Sequence, residues 1–256
     1  MSDLASALDG LSLAETAAET DSTIIVIDNL NDCATRIGAM IEKSEPIAID
    51  FEGIDLCRHG ELCLMQLASR TGAVLLVDIT TLGKPAFDEG KLKELLESTS
   101  VLKLIYDGRA DCDATFHQFG VHPAYLYDIQ VAYCTKRDQT SYRGRDRFVK
   151  GLKSALEDCP GLSYETRREL EETKTNGIAR FAPEKGGSYA VWKERPMDPA
   201  LIRYAAADVR FLHTMYDAWA TFVPVEAMVE ISSARVSKAI LASMPAKGKH
   251  MALKDF

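Results

Sequence analysis

The chain has 256 residues, 46% apolar and 27% charged, which suits a globular α/β protein with a sizeable core and excludes general disorder. No run approaches the roughly 20 apolar residues that a membrane-spanning helix needs, so no membrane role is expected. A net charge of −8 argues against holding polyanions by the whole surface, although clustered metal-binding carboxylates would themselves raise the negative count.

Residues 1–21 are acidic, rich in Ala, Ser and Thr, and lack aromatics, so a flexible leader is expected. They show neither the basic-then-apolar start of a secretory signal nor an Arg-rich transit segment. Thr23–Ile27 predicts a short strand, and Asn29 or Asn31 can cap a helix to about Lys43. The next apolar runs, IAIDFEG, LCLMQLAS and AVLLVD, have strand length; Arg70-Thr71-Gly72 between the last two predicts a hairpin. Helix and strand then alternate: helix over Phe87–Ser98, strand over Val101–Tyr106, helix over Ala110–Phe119 ended by Gly120, and a strand over Tyr125–Asp128 leading into a helix near Ile129–Cys134. Strand runs first and βαβ units later imply a mixed sheet flanked by helices.

A basic loop follows over 136–153, with Lys136, Arg137, Arg143, Arg145, Arg147, Lys150 and Lys153 against Asp138 and Asp146. A helix is expected over Tyr164–Lys174 and a long one over Pro199–Ala220. An amphipathic helix over Met228–Met244 and a loose tail over Lys247–Phe256 close the chain. No repeat or linker composition divides it, so one domain over 22–222 is expected, extended by the helix and tail of 223–256. Cys33, Cys57, Cys63, Cys112, Cys134 and Cys159 form no C-x-x-C pair or zinc spacing, which implies free thiols and an intracellular protein. P-loop and Rossmann glycine patterns are absent.

Asp50 and Glu52 end a strand at i and i+2, so both carboxylates project from one face. Adjacent buried carboxylates repel, and hard divalent cations such as Mg²⁺ or Mn²⁺, which prefer oxygen ligands, resolve the repulsion. Tyr204 and Asp208 stand at i and i+4 on a helix, one turn apart on one face. Asp111 opens a helix, where the dipole favours an acid. Each feature alone also fits a solvated strand end, a core anchor or a helix-start charge.

Taken in order, IAIDFEG, KLIYDGRADCDATFHQFG and YAAADVRFL resemble the three motifs of the DEDDy subgroup of DnaQ-like 3′→5′ exonucleases, which includes ribonuclease D and the exonuclease domains of family A DNA polymerases. Counting back from Gly120 puts the second-motif acid on Asp111. WKERPMDPALIRYAAADV is especially similar to ribonuclease D, while the long segment between Asp111 and Tyr204 resembles stand-alone exonuclease-domain proteins of fungi and other eukaryotes. The resemblance implies a ribonuclease H-like fold: a five-stranded mixed sheet, an antiparallel meander then parallel strands, with added N- and C-terminal helices.

It further implies two divalent cations, Mg²⁺ or Mn²⁺, held by Asp50, Glu52, Asp111 and Asp208, with Tyr204 orienting the attacking water. The expected substrate is single-stranded or 3′-ended nucleic acid, RNA favoured over DNA. Phe51 is a candidate for base stacking and Gly53 for close approach to the 3′-hydroxyl. Tyr106, Arg109, Arg143 and Arg145 are further candidates for substrate contact. The alternatives are a DNA-repair exonuclease and a catalytically silent RNA-binding scaffold of the same fold.

Overall fold

The computed structural model describes residues 23–142 and 146–256. Arg143, Arg145 and the expected leader over 1–21 therefore lie outside the described residues. The described residues open with β1 (Ile24–Ile27) and α1 (Leu30–Lys43); Asn29 caps α1, its Oδ1 accepting the Asp32 N–H at 2.8 Å. Next come β2 (Ile47–Ile54), β3 (Glu61–Ala68), β4 (Val74–Asp78) and the short helices α2 (Ile79–Leu82), α3 (Pro85–Asp88) and α4 (Leu92–Glu97). Then follow β5 (Lys103–Ile105), α5 (Arg109–Phe119), β6 (Leu126–Asp128), α6 (Ile129–Thr140) and α7 (Leu152–Asp158). The chain finishes with α8 (Tyr164–Phe181), α9 (Pro199–Arg210), α10 (Leu212–Trp219) and α11 (Val225–Leu241).

The strands form one mixed sheet in the order β1-β4-β3-β2-β5-β6. The meander β2-β3-β4 is antiparallel, and β5 and β6 extend it in parallel beside β2, as expected. Among the described residues the expected five strands become six, because β1 pairs in parallel with β4 and covers that edge.

Alternation along β2 divides the molecule. Ala48 faces a core shared with Leu64, Leu76, Leu104 and α9, while Ile47, Ile49 and Phe51 face the core that holds Phe87, Leu92, Leu95 and Cys112. Period two then puts Asp50 and Glu52 on the α9 side. The buried face of α9 carries Ala205, Ala206 and Ala207, whose small side chains let the helix lie close to β2, β3 and β4.

Several element boundaries differ from expectation. The helix expected over Phe87–Ser98 is interrupted between α3 and α4, where Lys91 takes a left-handed φ of 66°. The long helix over Pro199–Ala220 breaks at Phe211, letting Phe211, Leu212, Met215 and Trp219 join the same core as Leu201 and Ala205. α6 extends well past Cys134, α8 runs past Lys174 to Phe181, and α11 starts and ends three residues early.

The tail expected to be loose over 247–256 is docked. Lys254 Nζ donates to both Asp138 oxygens at 2.7 Å, and Asp255 pairs with Arg235 at 2.7 Å and Arg109 at 3.4 Å. Backbone bonds from Val149 to Ala252 and from Lys254 to Arg147 hold it against the basic segment itself. The six cysteines are buried and unbridged. Among the described residues no helix is long and apolar enough to cross a membrane.

Candidate active site

Carboxylate oxygens of Asp50, Glu52 and Asp208 all lie within 4.8 Å of one another. β2 supplies the first two from one face; α9 supplies the third. α9 is started by Pro199 and by Asp198, whose side chain accepts the Ala200 N–H at 2.7 Å. Asp208 is 8% exposed, and its Oδ2 is buried without a hydrogen-bond partner. A buried unpartnered carboxylate oxygen is costly unless a cation meets it.

Burial, then mutual repulsion, raises the carboxyls of Asp50 and Glu52 well above their ordinary range; Asp208 is the leading repulsive neighbour of both. Burial also raises Asp208, against the pull of Lys174. Asp50 and Glu52 retain some exposure, which tempers the size of the effect. An all-oxygen, partly open cluster of this kind fits a hard divalent cation, which would restore the ionised forms.

Asp111 occupies the first turn of α5 and is 7% exposed. It stands outside the three-carboxylate group, yet after burial the charge of Asp50 is the largest influence raising its carboxyl. The charge of Asp50 thus acts both on Glu52 in the three-carboxylate group and on Asp111.

Tyr204 lies one turn before Asp208, in a nest of aromatic rings. Phe181 meets it edge-on at 5.1 Å and Trp192 lies at 6.1 Å. Burial, followed by the charges of Asp208, Glu52 and Asp50, raises its phenol. The Trp and Arg-Pro residues upstream have framing roles: Trp192 is 1% exposed, and Arg195 donates to Asp78 at 2.5 Å, tying the approach to α9 onto the end of β4.

Two residues that sequence reasoning passed over complete the site. Lys174 on α8 donates to Asp208 Oδ1, and its Nζ is 3.6 Å from the Tyr204 ring centroid. Gly177, one turn later, is buried against Tyr204. Standing at i and i+3, the two share one face of α8, but nothing in the sequence pairs that face with α9. Beside Tyr204 and Asp208 a groove of about 410 Å³ opens between α7 and α8, walled by Leu152, Leu156, Tyr164 and Ile178.

The secondary candidates fare less well. Phe51 is 3% exposed on the opposite face of the sheet, because β2 stays regular up to Glu52, so it cannot stack on a base at the carboxylates. At Gly53 a Cβ would come within 2.0 Å of the Glu61 carbonyl oxygen, beside a register shift; the glycine serves the approach of β3. Tyr106 spends its hydroxyl on the Lys150 carbonyl at 2.8 Å. Arg109 is 3% exposed and bound to Asp107, Asp255 and the Met251 carbonyl, which removes it as a phosphate contact. In the basic segment, Arg137, Lys150 and Lys153 pair with Asp158, Asp146 and Glu171.

Residues 26–221 match the family model described as 3′-5′ exonuclease. The piRNA biogenesis protein EXD1 of Mus musculus is 29% identical over 194 residues, 76% of this chain and 32% of its own length. Ribonuclease D of Gluconacetobacter diazotrophicus is 32% identical over 178 residues, 68% of this chain and 37% of its own length. The chain thus spans about a third of the curated relatives it matches. Trypanosoma brucei RNase D, solved with GMP, superposes with a TM-score of 0.71 at 24% identity, covering 89% of this chain and 67% of that one. Brucella melitensis NrnC bound to pGG gives 0.57 at 21% identity, covering 85% and 89%; both likenesses concern the fold. With the family model covering most of its length, this chain belongs to the 3′-5′ exonuclease family.

Proposed function

We propose that this protein hydrolyses nucleic acid from the 3′ end to nucleoside 5′-monophosphates, RNA in preference to DNA, with two divalent cations, Mg²⁺ or Mn²⁺. The observation that carries the reading is the convergence of the Asp50, Glu52 and Asp208 oxygens within 4.8 Å, beside Tyr204. The names of the relatives support RNA: several are ribonucleases D, and the Trypanosoma protein was also solved in complex with RNA U12. Buried, unbridged cysteines support an intracellular setting.

Asp50, Glu52 and Asp208 would hold one ion, and Asp111 with Asp50 the other. Bound divalent ions supply charge neutralisation at the phosphate and a water of lowered pKa. Tyr204, with its phenol raised by burial, keeps its proton at neutral pH. That suits a hydrogen-bonding group that orients water better than a general base. The groove between α7 and α8 gives the terminal nucleotide an apolar wall next to the acids.

The test is digestion of matched 5′-labelled RNA and DNA strands with Mn²⁺ or with chelator, beside Asp50→Ala. A ladder shortening from the 3′ end, dependent on metal and on Asp50, is expected. RNA should be consumed faster; faster DNA digestion would favour a repair exonuclease. Nucleic-acid binding without any cleavage would mean a silent scaffold.

A further inference from the structure

α8 and α9 pack against each other so that Lys174 lies opposite Asp208 and Gly177 lies opposite Tyr204. The matching is antiparallel: three residues separate the pair on α8 and four the pair on α9, one turn in each case. The absence of a side chain at 177 lets α8 approach closely, and that approach delivers the Lys174 ammonium into the acidic cluster. Its side chain is 18% exposed and contacts Asp208 Oδ1, while Oδ2 of the same carboxylate has no partner. Lys174 is also the cation whose field opposes the raised carboxyls of Asp50, Glu52 and Asp208.

We propose that Lys174 is a positioning residue of the nuclease site, a built-in counter-cation that holds Asp208 before metal arrives and must leave it when a divalent ion binds. The inference rests on the reading that these carboxylates hold divalent ions. Three carboxylates within 4.8 Å need compensating charge, and one ammonium supplies only part of it. An arriving divalent ion needs the Asp208 oxygens and repels the ammonium. Lys174 therefore competes with the metal for Asp208.

The displaced ammonium has a second seat. Its Nζ is already 3.6 Å from the Tyr204 ring centroid, so it leaves Asp208 by a small rotation while keeping the cation–π contact. That seat borders the groove between α7 and α8, which Lys174, Tyr204 and Asp208 all line. Competition with metal and retention over Tyr204 together make Lys174 a determinant of metal affinity.

The experiment is calorimetric titration of Mn²⁺ into the metal-stripped full chain, for the unmutated protein, Lys174→Met and Lys174→Arg. Lys174→Met should bind Mn²⁺ at least about 5-fold more tightly, and Lys174→Arg should stay close to the parent. In digestion assays the Mn²⁺ concentration for half-maximal rate should fall for Lys174→Met, whatever happens to kcat. Equal or weaker Mn²⁺ binding by Lys174→Met overturns the inference alone. No Mn²⁺ binding by the unmutated chain overturns it together with the nuclease reading.

A second measurement uses the unmutated protein and does not depend on a variant folding. Labelling with an amine-reactive ester, read by mass spectrometry, should increase at Lys174 when Mn²⁺ is added to stripped protein. Unchanged Lys174 labelling at saturating Mn²⁺ would refute displacement.

Discussion

Tyr204 rests on the bare α-carbon of Gly177: a Cβ at 177 would come within 2.5 Å of both Cβ and Cδ2 of the tyrosine. The obstructing atoms are the Cβ of Tyr204 and its ring, and the ring is packed against Phe181 and Trp192, so it has little room to yield. Gly177→Ala gains up to about 1 kcal/mol in helix propensity but incurs an overpacking cost of about 1–3 kcal/mol. The expected result is a Tm lowered by up to several degrees with activity down at least about 10-fold, because Tyr204 is pushed from the position in which the proposed mechanism has it orient water. Activity equal to the parent's would show that the tyrosine tolerates displacement.

The raised carboxyls of Asp50, Glu52, Asp111 and Asp208 make metal-free stability depend on pH. Their folded pKa values lie above the unfolded ones near 4, so the native state holds protons that the unfolded chain releases. Their contribution is complete below about pH 4 and is lost as pH rises through the folded values. Divalent ions bind the ionised forms and reverse that trend; at 100 times Kd they would add about 2.7 kcal/mol. Melting with and without Mn²⁺ should give a Tm gain larger at about pH 8 than at about pH 5. A gain equal at both would mean that the metal binds elsewhere.

The site acids were legible because each sits on a regular period: two along β2, four along α9, and the opening turn of α5. Such periods fix a face whatever the tertiary partner. Lys174 and Gly177 were not, because α8 has no pattern that names α9 as its neighbour, and the helix was expected to stop at Lys174. Arg109 was misjudged for a related reason. A cation near an acid in sequence suggests a phosphate contact, but its guanidinium is taken up by Asp107, two residues away, and by the Met251 carbonyl and Asp255 of the docked tail. The sixth strand escaped the count because β1 pairs with β4 across α1, β2 and β3.

Lys103 offers a stability test away from the carboxylate cluster. It is fully buried in β5, its ammonium donating to the Ser98 carbonyl at 2.5 Å, and burial lowers its pKa to about 7. Between about 7 and the unfolded value near 10.4, the unfolded chain binds a proton that the native state lacks, so stability rises with pH. As pH falls through the folded value that advantage is lost, leaving a charged buried amine. Lys103→Met keeps the length and removes the charge; Ser98 is partly exposed, so water can replace the donor. Tm should rise by a few degrees for about 1–2 kcal/mol, with the gain larger at about pH 6.5 than at about pH 9.5. A lower Tm at both pH values would show that the Ser98 bond outweighs the buried charge.

Arg235 joins the C-terminal helix to the backbone behind Asp111. Its guanidinium is 1% exposed and binds Asp128, Gln130 at 2.7 Å, Asp255 at 2.7 Å and Asp107 at 3.3 Å. Asp128 Oδ1 accepts the Asp107 N–H at 2.9 Å, fixing the left-handed turn at Asp107 from which α5 and Asp111 depart. Burial raises the Asp128 carboxyl and Arg235 is the main influence opposing it, so removal of the cation leaves uncompensated buried acids. Arg235→Ala should cost about 3–5 kcal/mol. Asp255→Asn leaves Arg235 paired with Asp128 and should cost closer to 1 kcal/mol. The activity effect should exceed the stability effect in one respect: at a temperature where Arg235→Lys is fully folded, its Mn²⁺ requirement should still rise, because the start of α5 is less firmly set. Thermal melts paired with Mn²⁺ titrations of the rate check both outcomes. A folded Arg235→Lys with the parent's Mn²⁺ requirement would confine the network to holding the tail.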